Sequence, residues 1–199
     1  MSTAPAGTVS ARAPWAVLSP LSWAVGLAGA AALLARPWFL PAGVDVEWRV
    51  AFFVALGVCG AAWPLAGAVV GRPAGLWPSL GVFAVGVVAF TLGRWVVDVP
   101  VFGPGGLAVA VALNALAAVA EEAFFRRYLY GLLAPSFGTA VAVVGTAAAF
   151  ALVHVTVWGW WVLPLDLAAG LVLSWQRAAS DRWSIPAATH VLANTLALL

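Results

Sequence analysis

The chain has 199 residues, 64% of them hydrophobic and 8% charged, against roughly 45–50% and about 25% in ordinary soluble domains, which places it among integral membrane proteins. Its net charge of +2 reflects nine arginines and no lysine against seven acidic residues, the arginines being scattered along the chain rather than gathered into a basic cluster, so the basic face that nucleic-acid binding requires is absent. The one cysteine, Cys59, lies in an apolar run, which excludes disulfides and a multi-cysteine metal site within the chain; it is read as a small core residue.

Residues 1–14, MSTAPAGTVSARAP, are small and polar and are read as an N-terminal lead-in. A membrane-crossing helix needs about 20 apolar residues, so this length holds six to eight spans and no separate soluble domain. Seven apolar runs are expected to be helical, at about 15–35, 51–71, 76–93, 107–134, 138–157, 161–176 and 183–199. They are separated by turn-rich segments such as GRPAG, DVPVFGPGG and ASDRWS. The first run exceeds the 7–15 apolar residues of a signal peptide and is read as a retained helix. The expected fold is therefore an all-α polytopic transmembrane bundle of about seven spans. It comprises accessory helices over 15–106 and a core over 107–199.

Tryptophans near expected helix ends, Trp15, Trp38, Trp48, Trp77, Trp158, Trp160, Trp161 and Trp183, fit aromatic belts at the two membrane interfaces. With the N-terminus cytoplasmic, the inner side collects Arg12, Arg72, Arg126, Arg127, Arg177 and Arg182 and the outer side Arg36, Arg49 and Arg94. Basic residues gather on the cytoplasmic side, so a multi-pass protein with its N-terminus inside is expected.

The polar positions of interest inside the apolar runs are Asn114, Glu121, Glu122, Arg126, His154, Asp166, His190 and Asn194. Unmatched, two glutamates and an arginine at helix centres cost together roughly 8–10 kcal/mol. Glu122 and Arg126, one helical turn apart with the acid first, suit an ion pair. Glu121 lies about 100° around the helix and is left as the unmatched acid, sharing a face with Asn114. His190 and Asn194 project together, again four apart. Each residue alone has a structural reading, as an ion pair or an interhelical hydrogen bond, and Asp166 is read as structural because nothing pairs it with the others. Jointly they supply a base, a polariser and an amide donor for a developing oxyanion.

EEAFFR, FALVH and HVLAN fit the patterns EExxxR, FxxxH and HxxxN, in that order and on separate segments. On these motifs residues 107–199 resemble the CPBP family, the Abi or type II CAAX-protease family of intramembrane endopeptidases. The resemblance implies hydrolysis of a peptide bond in a membrane-associated protein substrate at the bilayer. By the same resemblance Glu121 activates water with Glu122 and Arg126 in support, His154 holds or polarises that water, and His190 and Asn194 complete the site. The family has been described both as glutamate-dependent and as metallo-dependent. A zinc ion would be held by Glu121, His154 and His190, with Glu122 then serving as base although paired with Arg126. The metal-free assignment, without a cofactor, is favoured because each residue then has one task. The resemblance and the apolar composition together point to the cell membrane of a bacterium.

The competing readings are a proton-coupled transporter with the same acids and histidines as a relay, a haem protein ligated by His154 and His190, and a catalytically silent membrane subunit. No internal repeat supports the transporter. Helical rise poses one difficulty: His154 lies about 24 Å from Gly138, Glu121 about 20 Å before Ala134 and His190 about 10 Å after Trp183, so the three meet only if helices tilt or extend beyond the hydrocarbon.

Overall fold

A computed structural model describes residues 20–41, 44–62, 73–94 and 106–199. The expected lead-in 1–14, residues 15–19 of the first run and 63–71 of the second lie outside the described residues.

Each of the seven apolar runs contains a helix, and among the described residues there is no strand. In chain order these are α1 (Pro20–Leu34), a one-turn α2 (Arg36–Phe39), α3 (Val46–Ala62), α4 (Leu76–Arg94), α5 (Gly106–Glu122), a π-helical segment (Ala123–Leu129), α6 (Tyr130–Phe137), α7 (Thr139–Trp158), a 3-10 turn (Trp160–Val162), α8 (Leu163–Ser180) and α9 (Ser184–Ala197). Among the described residues three helices are long and apolar enough to cross a membrane: Leu76–Gly93, the continuous Gly106–Phe137, and Thr139–Trp158.

The packing core gathers Leu33, Phe53, Leu56, Phe124, Phe125, Tyr128, Leu132, Phe150 and Leu173 from α1, α3, the π segment, α6, α7 and α8. Most other large apolar side chains face outward, among them Leu27, Val58, Val88 and Val144. That is the inverse of a soluble domain and the expected result when lipid tails are the solvent. Cys59 is among the outward-facing residues, a correction to its reading as core: in a bilayer an apolar run need not be covered by protein.

Small residues allow the helices to approach closely. A Cβ on Gly60 of α3 would stand 2.5 Å from the Ala123 carbonyl carbon, and one on Gly170 of α8 would stand 3.0 Å from Ala147 of α7. Buried hydroxyls cross-link α7 and α8 through Thr146 and Ser174 at 2.9 Å. Gln176 of α8 donates to the Val82 carbonyl of α4 at 2.9 Å and to Thr189 of α9 at 3.0 Å.

The levels of the polar residues are set by one turn. Gly138 ends α6 and begins α7 with φ +85°, a conformation other residues adopt only under strain. Glu121 precedes this turn by 17 residues and His154 follows it by 16. An antiparallel hairpin about Gly138 therefore carries both to the same depth. The Gly106–Phe137 helix, 32 residues long, spans about 48 Å at 1.5 Å per residue and overshoots a hydrocarbon core of about 30 Å, which removes the difficulty raised by helical rise.

Tryptophans mark both ends of the bundle. Trp38 and Trp48, beside the end of α1 and the start of α3, and Trp158, Trp160 and Trp161, between α7 and α8, are exposed at the end toward which α1 and α7 point. Trp77 is exposed at the opposite end, where the Ala74 amide donates to the Ser180 carbonyl at 3.0 Å.

Candidate active site

Glu121 and Glu122 close α5, and the π segment begins at the next residue. Single π turns are frequent at functional sites because the wider i→i+5 ladder re-aims side chains and frees backbone groups. Here the Arg126 carbonyl accepts a hydrogen bond from Arg177 Nε at 3.0 Å, and the Arg177 guanidinium, paired with Asp181, lies 4.9 Å from the Tyr130 ring centroid.

The Glu122–Arg126 pair expected from spacing is present at 2.7 Å with both side chains fully buried. Arg126 Nη2 also donates to the Gly170 carbonyl at 3.2 Å, and its guanidinium stacks 4.6 Å from the Phe150 ring centroid. Glu122 Oε1 has a second partner in His190 Nδ1 at 2.9 Å. One buried carboxylate thus ties the EExxxR motif to the HxxxN motif across α5 and α9. Glu122 Oε2 and Arg126 Nε have no protein partner among the described residues, so the hydrogen-bonding capacity of the cluster is not exhausted by the protein.

Glu121, 3% exposed, is not unmatched. Arg36 Nη1 donates to its Oε1 at 2.9 Å from the start of α2. This corrects the reading of Glu121 as an acid without a cation and of Arg36 as only a topological signal. Loop arginines carry no pattern that names a partner 85 residues away. The other carboxylate oxygen, Oε2, faces His154 Nε2 at 3.8 Å.

The His154 ring is fixed by Nδ1, which lies 2.8 Å from the Phe150 carbonyl. A carbonyl only accepts, so Nδ1 carries a proton, and in the neutral ring Nε2 then presents its lone pair toward Glu121. Phe150 itself sits at the centre, its ring 4.5 Å from that of His154, 5.7 Å from that of His190 and 5.6 Å from that of Phe125. The first residue of FxxxH is therefore the apolar floor on which both histidines rest.

Asn194 is half-buried one turn beyond His190, and among the described residues its amide makes no side-chain hydrogen bond. Asn114 donates to the Ala110 carbonyl of its own helix at 2.8 Å. Asp166, in the first turn of α8, is half-buried and within electrostatic reach of Glu121, His154 and His190. Sequence spacing gave no hint of this, because α8 reaches the others only through the turn after α7.

Each histidine keeps Nδ1 on an acceptor and has no hydrogen bond at Nε2 among the described residues, an arrangement that metal-binding histidines also use. Yet among the described residues no three His, Cys, Asp or Glu side chains are placed to hold one ion. What the cluster offers chemically is a carboxylate oxygen and an imidazole lone pair 3.8 Å apart, two acceptors able to share the two hydrogens of one water.

Residues 103–196 match the family Type II CAAX prenyl endopeptidase Rce1-like. No curated protein and no solved structure matches the chain.

Proposed function

We propose that this chain is an integral membrane endopeptidase of the CPBP/CAAX-protease type, as the match of residues 103–196 supports, and that it hydrolyses a membrane-associated protein substrate with Glu121 as general base and without a metal. The observation that carries the reading is the pair of converging acceptors, Glu121 Oε2 and His154 Nε2, 3.8 Å apart. A water between them donates one hydrogen to each, and its lone pairs are left for the substrate carbonyl. Glu121 takes the proton as the C–O bond forms, and returns it to the amide nitrogen as the C–N bond breaks, so the site ends as it began. His154 holds and orients the water.

The oxyanion needs donors. His190 commits Nδ1 to Glu122, so its Nε2 donates to substrate only when the ring carries both protons. The Asn194 amide donates in either case, and Asn194 is therefore assigned as the principal oxyanion donor. Glu122 and Arg126 hold His190 in place.

The site lies at the level of Arg36, His154 and the start of α8, toward the bundle end marked by Trp38 and Trp158. With the N-terminus cytoplasmic, as the arginines favour, the site opens to the outer face of the membrane of a bacterial cell.

Membranes from cells producing wild-type or Glu121→Gln protein test the reading. Protein fragments that accumulate with the wild type and not with the variant are expected, and an identical fragment set would refute it. The wild-type fragments should persist in the presence of a zinc chelator; their loss, with restoration by zinc, would overturn the metal-free assignment.

A further inference from the structure

We propose that Arg36 is a positioning residue for catalysis, holding the Glu121 carboxylate in the orientation that presents Oε2 to His154, so that the helices outside the matched segment are part of the catalytic unit. This rests on the reading of Glu121 as the base.

The two glutamates are served by different cations. Glu122 takes Arg126 from its own helix, four residues on. Glu121 takes Arg36 from α2, which lies 67 residues before residue 103, where the family match begins. No motif of that match therefore contains the partner of the proposed base.

The contact has the geometry of an orienting clamp. Arg36 Nη1 engages Oε1 alone, at 2.9 Å, and leaves Oε2 to face His154. Without that bond a carboxylate only 3% exposed would keep an uncompensated charge in a low-dielectric site and could turn about its last torsion.

Arg36 is itself fixed from three sides. Its backbone carbonyl receives the Leu40 amide at 2.7 Å in the single turn of α2, whose second residue is Pro37. Its guanidinium lies 5.9 Å from the centroid of the Phe53 ring on α3. The preceding α1 is anchored to the π segment by the Tyr128 hydroxyl, which donates to the Ser22 carbonyl at 2.5 Å. The clamp is thus connected to the π segment that directly continues the helix carrying both glutamates.

Initial-rate hydrolysis in proteoliposomes tests this, using a fluorophore–quencher peptide that ends in a farnesylated CAAX sequence and its unprenylated counterpart. The proteins are the wild type, Arg36→Ala, Arg36→Lys and, as blank, Glu121→Gln. Arg36→Ala should lose ~100-fold in kcat, the scale of a misplaced catalytic group, with KM within a few-fold of the wild type. Arg36→Lys should recover about a tenth of wild-type kcat or more. The Arg36 side chain is 13% exposed, so added methylguanidinium can reach the vacated site and should restore Arg36→Ala at least tenfold without acting on the wild type.

Wild-type kcat in Arg36→Ala overturns the inference and leaves the hydrolase reading standing. A loss that neither lysine nor methylguanidinium restores, accompanied by a lowered melting temperature, overturns it in favour of a purely structural role. Absence of cleavage by the wild type refutes the hydrolase reading, and the inference with it.

Discussion

Replacing Arg126 by methionine tests whether the buried ion pair is what permits two acids in an apolar helix. The substitution keeps volume and helix propensity while removing the 2.7 Å contact to Glu122, the 3.2 Å bond to the Gly170 carbonyl and the stacking on Phe150. Glu122, fully buried, is then left with His190 as its only side-chain partner among the described residues. Breaking one side of such a pair costs about 3–5 kcal/mol, because the surviving charge stays desolvated. At roughly 2–4 °C per kcal/mol for a chain of this size, the melting temperature in detergent should fall by roughly 6–20 °C. The Glu122→Gln/Arg126→Met double variant removes the stranded charge as well. It should melt above Arg126→Met, giving a coupling of about 1–3 kcal/mol in the double-mutant cycle. Tryptophan fluorescence during heating reads all four proteins. An Arg126→Met protein that melts with the wild type, or single effects that simply add, would refute the argument.

Gly60→Ala places a methyl 2.5 Å from the Ala123 carbonyl carbon and 2.7 Å from the Phe124 amide nitrogen. Backbone cannot swing aside, so α3 must shift, at a cost of about 1–3 kcal/mol read as a lowered melting temperature; Gly81→Ala, with nothing within 4 Å, is the control that should melt like the wild type. Asn194→Ala should lower kcat by ~10²–10³ with KM little changed, and Asn194→Asp, which offers no amide donor, should not recover it; steady-state kinetics on the farnesylated peptide decides. Gly138→Ala forces a β-carbon into a backbone with φ +85° at the hairpin that levels Glu121 with His154, so it should both destabilise by about 1–2 kcal/mol and reduce kcat.

What the sequence disclosed follows from how far each interaction travels along the chain. Spacing within one helix is readable, and so Glu122 and Arg126 were paired correctly, and His190 and Asn194 were placed one turn apart. The ordered motifs brought Glu122, His154 and His190 toward one site before any geometry was known. Arg36 was misread because its partner is on another helix and its position, after an apolar run, equally fits a topological arginine. Asp166 approaches the histidines only through the α7–α8 turn. The π segment left no trace in AFFRRYL, whose apolar and basic residues suit an α-helix equally well. Cys59 was misread for a related reason: in lipid an apolar neighbourhood does not say which face is covered by protein.

The most direct test of the account is hydrolysis of the farnesylated peptide by purified protein in proteoliposomes, wild type against Glu121→Gln, with equal melting temperatures verifying that both are folded. Glu121→Gln keeps the shape of the side chain and an oxygen for Arg36 but has no carboxylate to accept the proton of water. The account predicts cleavage by the wild type and none above the uncatalysed background by the variant. Cleavage by Glu121→Gln at the wild-type rate would contradict it.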